Sequence, residues 1–424
     1  MSTPQDTLFK QCRVGDIAKV ISGFAFKSHS FQADGVPVIK IKNIRIGSVD
    51  LSESDRVDPS FLSLDQKYHV KGGDLLISLT GSHLTQPNSV VGRVAAYPST
   101  VEQALLNQRA GKITITRPDR CDPRYLFYSL SATEVRRNIA LMASGAASQA
   151  NVSPSQVESV QILLPPLPTQ RKIASILSAY DDLIENNTRR IEILEEMAQA
   201  IYREWFVNFR FPGHEKVGMV DSPLGLIPEG WEIRTLADMC TVVMGQSPKS
   251  EYYNDKGEGL PFHQGVKDFG PRFPTDRLYC TVQNRVAEAG DILFSVRAPV
   301  GRINLTTKKI VIGRGLCAIR CKSGNQVFTF QQLKDRFQEE DSMGGGTIFK
   351  AVTKGDMLGI KLIQPEDSLA KRFESLIEPV FKEIENLTAK NSILRRTRDL
   401  LLPKLISGEV DVEELSNETI GGKA

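Results

Sequence analysis

The chain has 424 residues, of which 41% are hydrophobic and 24% charged, and its net charge is only +3. This composition is that of an ordinary globular protein, and it excludes a disordered, collagen-like or disulfide-scaffold chain. No stretch approaches the ~18 uncharged apolar residues of a membrane span, and residues 1–13 have no apolar signal region. We therefore expect a cytoplasmic protein with no membrane segment.

The small positive charge lies in two separate blocks. Residues 1–168 contain 18 basic and 14 acidic side chains, and residues 226–366 contain 19 and 16. The segments 169–210 and 368–424 are each slightly acidic. On charge alone, two ordinary globular domains remain the simpler interpretation, because nucleic-acid-binding domains are usually more basic.

The sequence of the first block, residues 1–168, predicts a series of short strands. The run VPVIKIK at 36–42 alternates apolar and basic residues, which predicts a half-buried strand. The run GDLLIS at 73–78 predicts a turn that enters an apolar strand, and residues 113–116 alternate again. A helix is predicted from Pro123 to Met142. Short strands with a few helices indicate a compact α+β domain.

A long amphipathic helix follows, over residues 169–210. Apolar residues recur at spacings of three and four from Ile173 to Trp205, after the sequence PPLP at 165–168. About 38 residues in this pattern span roughly 57 Å. A linker, residues 211–225, leads into the second half of the chain.

The second half repeats the order of the first. GDLLIS at 73–78 returns as GDILFS at 290–295, and VGRV at 91–94 returns as VGRI at 300–303. Similar landmarks in the same order indicate a duplicated module. We expect a second domain at 226–367, a second long helix at 368–410 and a polar tail at 411–424.

The predicted fold class is therefore α+β, with two similar mixed domains joined by two long antiparallel helices about an approximate two-fold axis. Pro379 is expected to kink the second helix, and Pro403 and Gly408 to end it. Asn187 occupies the position in the apolar stripe that Leu387 occupies in the second helix. It either fixes the register of the helix pair or faces solvent.

Three motifs carry a family resemblance. LPPLPTQRKIASIL at 164–177 precedes DDLIENN at 181–187, LGLIPEGW lies at 224–231, and LLPKLISGE lies at 401–409. In this order they resemble the central conserved region, the entry to the second recognition domain and the distal conserved region of type I restriction-modification specificity subunits. The resemblance covers nearly the whole chain, although the second PPLP is replaced by QPED at 364–367.

The resemblance implies a non-enzymatic subunit that reads a bipartite target in double-stranded DNA. Its partners would be two methyltransferase subunits and the restriction and translocase subunits. S-adenosylmethionine, ATP and magnesium would belong to those partners, with no cofactor, metal or catalytic residue in this chain. The sequence indeed contains no GxxxxGK[ST] loop, GxGxxG turn or [ND]PPY motif. The alternatives are a protein-interaction scaffold built on the helices and a self-sufficient nuclease or methyltransferase.

Candidate DNA-binding residues are polar side chains on turns and strand ends, where base edges and phosphates can be reached. They are Lys27, Ser28, Lys40, Lys42, Asn43, Ser78, Thr80, Arg93, Ser148, Gln149, Gln264, Lys267, Ser295, Arg297, Arg302, Thr347 and Lys350. Arg93 and Arg302 match between the halves, so they are either structural or phosphate-binding, because base readers should differ between domains that read different sequences.

An aromatic cluster near the end of the first long helix is the candidate partner-binding surface. Trp205, Phe206 and Phe209 lie too close together for all of them to fit one buried stripe. They either contact the methyltransferase or pack under the second domain.

Overall fold

The computed structural model describes residues 9–82, 90–99, 101–146, 149–342 and 352–412. The chain divides into two compact units, one made of residues 1–187 and 390–424 and the other of residues 188–389. Each unit therefore contains one of the predicted domains together with a part of both long helices.

The first unit contains fourteen described strands and three short helices before the first long helix. The strands are β1 (Lys10–Arg13), β2 (Ala18–Ser22), β3 (Phe31–Gln32), β4 (Val36–Ile39), β5 (Asp55–Val57), β6 (His69–Val70), β7 (Leu75–Ser78), β8 (Thr80–Gly81), β9 (Val94–Ala96), β10 (Ala104–Leu106), β11 (Ala110–Ile115), β12 (Ser144–Ala146), β13 (Gln149–Asn151) and β14 (Gln161–Leu164). The helices are α1 (Pro123–Ser131), α2 (Thr133–Leu141), α3 (Pro154–Glu158) and the long α4 (Leu167–Tyr202).

The second unit repeats this plan. Its described strands are β15 (Met219–Ser222), β16 (Gly225–Pro228), β17 (Glu232–Thr235), β18 (Cys240–Met244), β19 (Tyr253–Asn254), β20 (Leu260–His263), β21 (Tyr279–Cys280), β22 (Val286–Ala287), β23 (Ile292–Ser295), β24 (Ile303–Leu305), β25 (Ile310–Ile312), β26 (Leu316–Cys321) and β27 (Lys361–Gln364). Its helices are α5 (Leu236–Met239), α6 (Gln326–Ser342), α7 (Lys354–Leu358) and the long α8 (Asp367–Ser407).

Sheet topology confirms the internal duplication. The first unit has a five-stranded sheet in the order β3-β5-β4-β10-β6 and a four-stranded sheet in the order β2-β11-β7-β9. The second unit has the matching orders β19-β21-β20-β25-β22 and β18-β26-β23-β24. In each five-stranded sheet the central pair, β4 with β10 and β20 with β25, is parallel, and the other pairs are antiparallel.

Several predicted elements differ from their sequence patterns. The helix predicted from Pro123 to Met142 is broken at Ala132 into α1 and α2, and the long helix predicted over 169–210 is α-helical from Leu167 to Tyr202 and continues as a π-helix from Arg203 to Val207. The strand expected over 36–42 ends at Ile39, all four of its residues are buried, and a turn follows in which the amide of Asn43 donates to the carbonyl of Lys40. The expectation that Pro403 ends the second long helix was wrong, because α8 continues to Ser407 and only then meets Gly408. Leu405 and Ile406 are buried in the core of the first unit, and this burial outweighs the backbone hydrogen bond that Pro403 cannot make.

The long helices run antiparallel within each unit. In the first unit Asp181 of α4 pairs with Arg398 of α8, and Asn187 of α4 pairs with Asn391. In the second unit Arg190 of α4 pairs with Glu383. In the first unit the residue number on α8 falls as the number on α4 rises, which is the antiparallel arrangement that the sequence predicted.

Asn187 lies in the helix interface and not in solvent. Its side chain is 8% exposed, and its amide nitrogen donates to the amide oxygen of Asn391 at 2.9 Å. The amide nitrogen of Asn391 in turn donates to the carbonyl of Ile184 at 3.3 Å. A buried amide pair is satisfied only at one relative position of the helices, so it fixes their register in the first unit.

We predict that Asn187→Leu lowers the free energy of unfolding by about 1–3 kcal/mol, because the buried amide oxygen of Asn391 loses the hydrogen bond that Asn187 donates. The double variant Asn187→Leu/Asn391→Ile should recover most of this loss, since it reproduces Leu387 and Ile191, which stand at the equivalent positions 200 residues away. Urea denaturation measures both, with the exposed Asn186→Leu as control. Equal losses in the single and double variants would contradict the role of the pair.

Candidate nucleic-acid interface

A cleft of the second unit brings three predicted DNA-binding residues together: Gln264, Lys267 and Arg297. Its volume is about 580 Å³. The charged residues that line it are Lys267, Asp268, Arg277, Arg297 and Arg314. The cleft thus has four cationic side chains and one carboxylate, and the side-chain amide of Gln264 is exposed beside them. These groups can donate hydrogen bonds to the phosphates and base edges of DNA.

Close backbone contact between two loops forms this cleft. Because β20 and β25 are parallel, their carboxyl ends meet at one sheet edge, where Gln264 and the run GRG at 313–315 follow. The amide of Gly315 donates to the carbonyl of Gln264 at 3.1 Å, and a Cβ at Gly315 would lie 2.3 Å from that oxygen. Glycine is therefore required, and it places Arg314 beside Gln264. Arg314 was not predicted from the sequence as a DNA-binding residue, although an arginine flanked by glycines after an apolar strand was a signal for it.

A buried network of charged and polar side chains holds the end of the strand that precedes Gln264. His263, which is fully buried at the end of β20, lies with Nε2 3.0 Å from Oδ1 of Asp276, and Lys308 pairs with the same carboxylate. Burial alone would raise the pKa of Asp276, but the hydrogen bonds from His263 and Lys308 hold it below its ordinary value. The charged Asp276 thus anchors the strand end that presents Gln264.

The equivalent sheet edge of the first unit presents Lys40 and Lys42 after β4. Both ammonium groups lie 3.0 Å from Oδ2 of Asp55, and that of Lys40 also lies 3.5 Å from the centre of the Phe31 ring. Burial raises the pKa of Asp55, but the two ammonium groups bring it below its ordinary value. This edge is therefore less cationic than the cleft of the second unit. Gln108 stands where Arg314 stands in the second unit and is exposed.

Lys27 and Ser28 are exposed at the start of a short 3-10 helix, Ser28–Ser30. This position keeps them available to a ligand. The structure therefore leaves Lys27, Ser28, Lys40, Lys42 and Arg93 as candidates in the first unit.

Two other candidates of the first unit have structural roles, and we correct their assignment. Asn43 is 2% exposed, accepts from the amide of Lys40 at 2.9 Å and donates to the carbonyl of Asp50 at 2.9 Å. Thr80 is buried in β8 and donates to the side-chain oxygen of Asn151 at 2.7 Å. Their polar atoms close turns and strands of the protein itself.

Ser78 and Ser295 are also corrected, and their roles match in the two units. Both are buried and sit at the end of the central strand of a four-stranded sheet. The hydroxyl of Ser78 accepts from the amide of Arg93 at 3.0 Å, and that of Ser295 accepts from the amide of Arg302 at 2.8 Å. Each serine therefore fixes the turn that carries the matched arginine.

These arginines lie at corresponding places. Arg93 is half-buried just before β9, and Arg302 is exposed just before β24, where it lines a second cleft of the second unit. Among the remaining candidates, Ser148, Thr347 and Lys350 lie outside the described residues. Gln149 belongs to β13, but its side chain is also outside the described part.

The aromatic cluster packs inside the second unit. Phe206 is 3% exposed, and its ring centre lies 4.7 Å from that of Phe328 and 5.2 Å from that of Phe373. Trp205 and Phe209 are half-buried, with Phe209 5.5 Å from the Trp231 ring. Phe206 therefore packs in the core of the second domain, and Trp205 and Phe209 pack against that core with half-buried rings. Contact of Trp205 and Phe209 with the methyltransferase stays a prediction.

Comparisons with known proteins agree with this architecture. The model of the type I restriction modification DNA specificity domain matches residues 8–196 and 228–395, one match in each half of the chain. The chain belongs to this family. The family assignment confirms the resemblance seen in the motifs and a role as a DNA-specificity subunit of a type I restriction-modification system.

Individual relatives in this specificity family cover nearly the whole chain. The putative type I restriction enzyme MjaX specificity subunit of Methanocaldococcus jannaschii is 30% identical over 97% of this chain and 95% of that protein. The EcoBI specificity subunit of Escherichia coli is 26% identical over 94% and 85%. The crystal structure of a type I restriction-modification S subunit from M. genitalium, 16% identical, covers 94% of this chain and 96% of that one with a TM-score of 0.61. The latter shows a similar fold.

The described residues of the specificity subunit were searched for a membrane-spanning helix and for a metal-binding cluster. No helix among them is long and apolar enough to cross a membrane. They also contain no group of three or more His, Cys, Asp or Glu side chains that could hold a metal ion.

We predict that Asp276→Asn lowers the stability of the second unit by about 1–3 kcal/mol at pH 7. Because the pKa of Asp276 is lowered on folding, its contribution is complete above about pH 4 and disappears as the pH falls through the lowered pKa. Urea denaturation of the variant and the wild type should therefore converge in acid. The exposed Asp255→Asn is the matched control. A stability difference that persists unchanged in acid would contradict this assignment.

Proposed function

We propose that each unit reads one half of a bipartite DNA target and that the cleft of Gln264, Lys267 and Arg297 is the reading surface of the second unit. The observation that carries this proposal is the convergence of these residues in one cationic cleft at the carboxyl edge of a sheet. Arginine and lysine read guanine, and glutamine reads adenine, from the major groove.

The difference between the two reading edges supports two different half-sites. The second unit presents Gln264, Arg297 and Arg314, whereas the equivalent edge of the first unit presents Lys40, Lys42 and Gln108. The donors and acceptors thus differ although the strands beneath them have the same order. Identical surfaces would instead read identical half-sites.

The proposed partners are two methyltransferase subunits and, in the complete assembly, restriction and translocase subunits. Apolar side chains exposed on the long helices support docking there: Leu183, Ile393 and Leu400 in the first unit, and Ile193, Met197 and Leu376 in the second. S-adenosylmethionine, ATP and magnesium would be bound by those partners, and the complex would act in the cytoplasm on adenine N6 in DNA.

The exposed apolar positions also favour a second candidate function, a scaffold that binds only proteins. The two functions differ in one measurable property. A specificity subunit binds one DNA sequence more tightly than others, with an affinity that falls steeply with salt, and a protein scaffold does not.

The test is co-expression with the cognate methyltransferase in a host without DNA methylation, followed by genome-wide mapping of modified adenines. We predict one split motif that is absent when this chain is omitted. Exchange of residues 10–165 for those of a related subunit should change one half of the motif and leave the other intact. A change in both halves would contradict the assignment of one half to each unit.

We further predict that Lys267→Gln and Arg297→Gln relax or alter the half-site read by the second unit only. Loss of a bidentate base contact costs about 1–3 kcal/mol of discrimination at that base pair. Lys256→Gln, which removes an exposed charge outside the cleft, should leave the motif unchanged. The same mapping of modified adenines is applied to all three variants. If the motif is unchanged in both cleft variants, the cleft does not read the DNA bases.

A further inference from the structure

One tight turn recurs at the same place in both units. It is the sequence NQRA at 107–110, between β10 and β11, and the sequence GRGL at 313–316, between β25 and β26. In each turn the amide of the fourth residue donates to the carbonyl of the first, at 2.8 Å in the first unit and 3.0 Å in the second. We refer to these two segments as the matched turns.

The neighbouring strands hold both matched turns through the same backbone hydrogen bonds. The amide of the first residue donates to the last residue of the parallel strand, and the carbonyl of the third residue accepts from the residue after β7 or β23. These amide-to-carbonyl bonds are Asn107 to Ile39 (3.0 Å) and Leu79 to Arg109 (3.0 Å) in the first unit, and Gly313 to His263 (2.8 Å) and Val296 to Gly315 (2.9 Å) in the second. The backbone of each turn is therefore fixed from two sides.

A glycine packs against each matched turn from a third side. Gly23 directly follows β2 and Gly245 directly follows β18, and their amides donate to the carbonyl of the last turn residue at 3.1 and 2.9 Å. A Cβ at Gly23 would lie 2.2 Å from the carbonyl oxygen of Leu106, and a Cβ at Gly245 would lie 2.2 Å from that of Gly313. Only glycine allows this approach, so both units keep the same rigid frame.

The second residue of each matched turn is exposed, and it differs between the units: Gln108 in the first and Arg314 in the second. Its backbone amide is held, by the carbonyl of Phe24 at 2.9 Å in the first unit and by the hydroxyl of Ser247 at 3.2 Å in the second. Among the described residues, no hydrogen bond or ion pair engages the side chain of Gln108 or of Arg314. A fixed main chain thus presents a side chain whose polar atoms are available to a ligand.

The two side chains have different hydrogen-bonding patterns. The amide of glutamine matches N6 and N7 of adenine, and the guanidinium of arginine matches O6 and N7 of guanine, each through two hydrogen bonds in the major groove. Because the backbone is already fixed, little conformational entropy is lost when such a contact forms. A phosphate is the same in both half-sites, so a neutral amide in one unit and a cation in the other favour contact with a base.

We propose that the matched turns are a specificity-determining position, at which Gln108 reads an adenine in the half-site of the first unit and Arg314 reads a guanine in the half-site of the second. The proposal rests on the DNA-reading function proposed above and names one base for each unit. Arg314 lines the cleft that also contains Gln264, so this guanine lies within the half-site that the cleft reads.

The first test exchanges the two side chains in the full-length chain, co-expressed with its methyltransferase, and maps the modified adenines. Arg314→Gln should change one G·C pair of the second unit's half-site to A·T, and Gln108→Arg should change one A·T pair of the first unit's half-site to G·C. The preference at that base pair should shift by about 5- to 150-fold, as expected for one bidentate contact. The other positions of the motif should stay the same.

Matched controls make the same chemical changes elsewhere. Arg234→Gln removes an exposed arginine of β17 that pairs with Glu232, and Gln161→Arg adds an arginine at an exposed position of β14. Both controls should leave the methylated motif unchanged.

The second test changes the DNA and not the protein, so it does not depend on the folding of a variant. Duplexes that contain the mapped motif carry 7-deazaguanine at one guanine, or 7-deazaadenine at one adenine, which removes the N7 acceptor in the major groove. The wild-type complex should bind about 5-fold more weakly at one guanine of the second half-site and at one adenine of the first. The same analogue should not weaken binding by the Arg314→Gln or Gln108→Arg complex further.

The outcomes separate this proposal from the proposed function. If the wild type gives no split motif, the DNA-reading function itself fails. If it gives one, the matched-turn assignment is overturned by a second half-site without a G·C pair, by a motif unchanged in both variants, or by equal affinity losses on the motif duplex and on a random duplex. If the variants do not assemble with the methyltransferase, the wild-type complex decides: no effect of any single 7-deaza analogue overturns the assignment.

Discussion

The apolar stripes of the two long helices impose the constraint on which this fold depends. A helix of 36 or 41 residues with apolar positions along its whole length cannot bury that surface by itself. In the first unit, Ile173 and Leu177 of α4 share a core with Leu405 of α8. In the second unit, Ala198 and Tyr202 of α4 share a core with Phe373 and Ile377. Each unit thus needs segments from both halves of the chain, and neither repeat could complete its core without the other.

This shared burial also explains where sequence reasoning succeeded and where it did not. The periodicity from Ile173 to Trp205 and the repeated runs at 73–78 and 290–295 predicted the helices and the duplication, because local pattern carries that information. The end of α8 was missed, because helix-breaking by Pro403 competes with burial of Leu405 and Ile406, and only the folded structure contains that burial. The role of Trp205, Phe206 and Phe209 was left open for the same reason, since their partners Phe328 and Phe373 are more than 100 residues away.

The candidate site shows a similar division. Lys267 and Arg297 were found because they follow glycine turns and strand ends, which are local signals. Asn43, Ser78 and Ser295 have the same kind of local sequence, yet their polar atoms form hydrogen bonds within turns of the protein itself. Whether a serine hydroxyl faces solvent or accepts from an arginine amide depends on which side of the sheet the strand buries, and alternation was no guide in these strands because both faces are covered. Arg314 was missed because its neighbour Gln264 is brought beside it only by the parallel pairing of β20 and β25.

The repetition of some contacts and the divergence of others carry the functional argument. Ser78 and Ser295 hold Arg93 and Arg302 through the same hydroxyl-to-amide bond, and Gly92 and Gly301 allow the same approach to a helix. At the carboxyl ends of the parallel strands, by contrast, Lys40 and Lys42 are paired with Asp55, whereas Gln264 and Arg314 line a cleft with an excess of cations. Two domains that read different half-sites must present different side chains to the bases, and the unmatched edges meet that requirement.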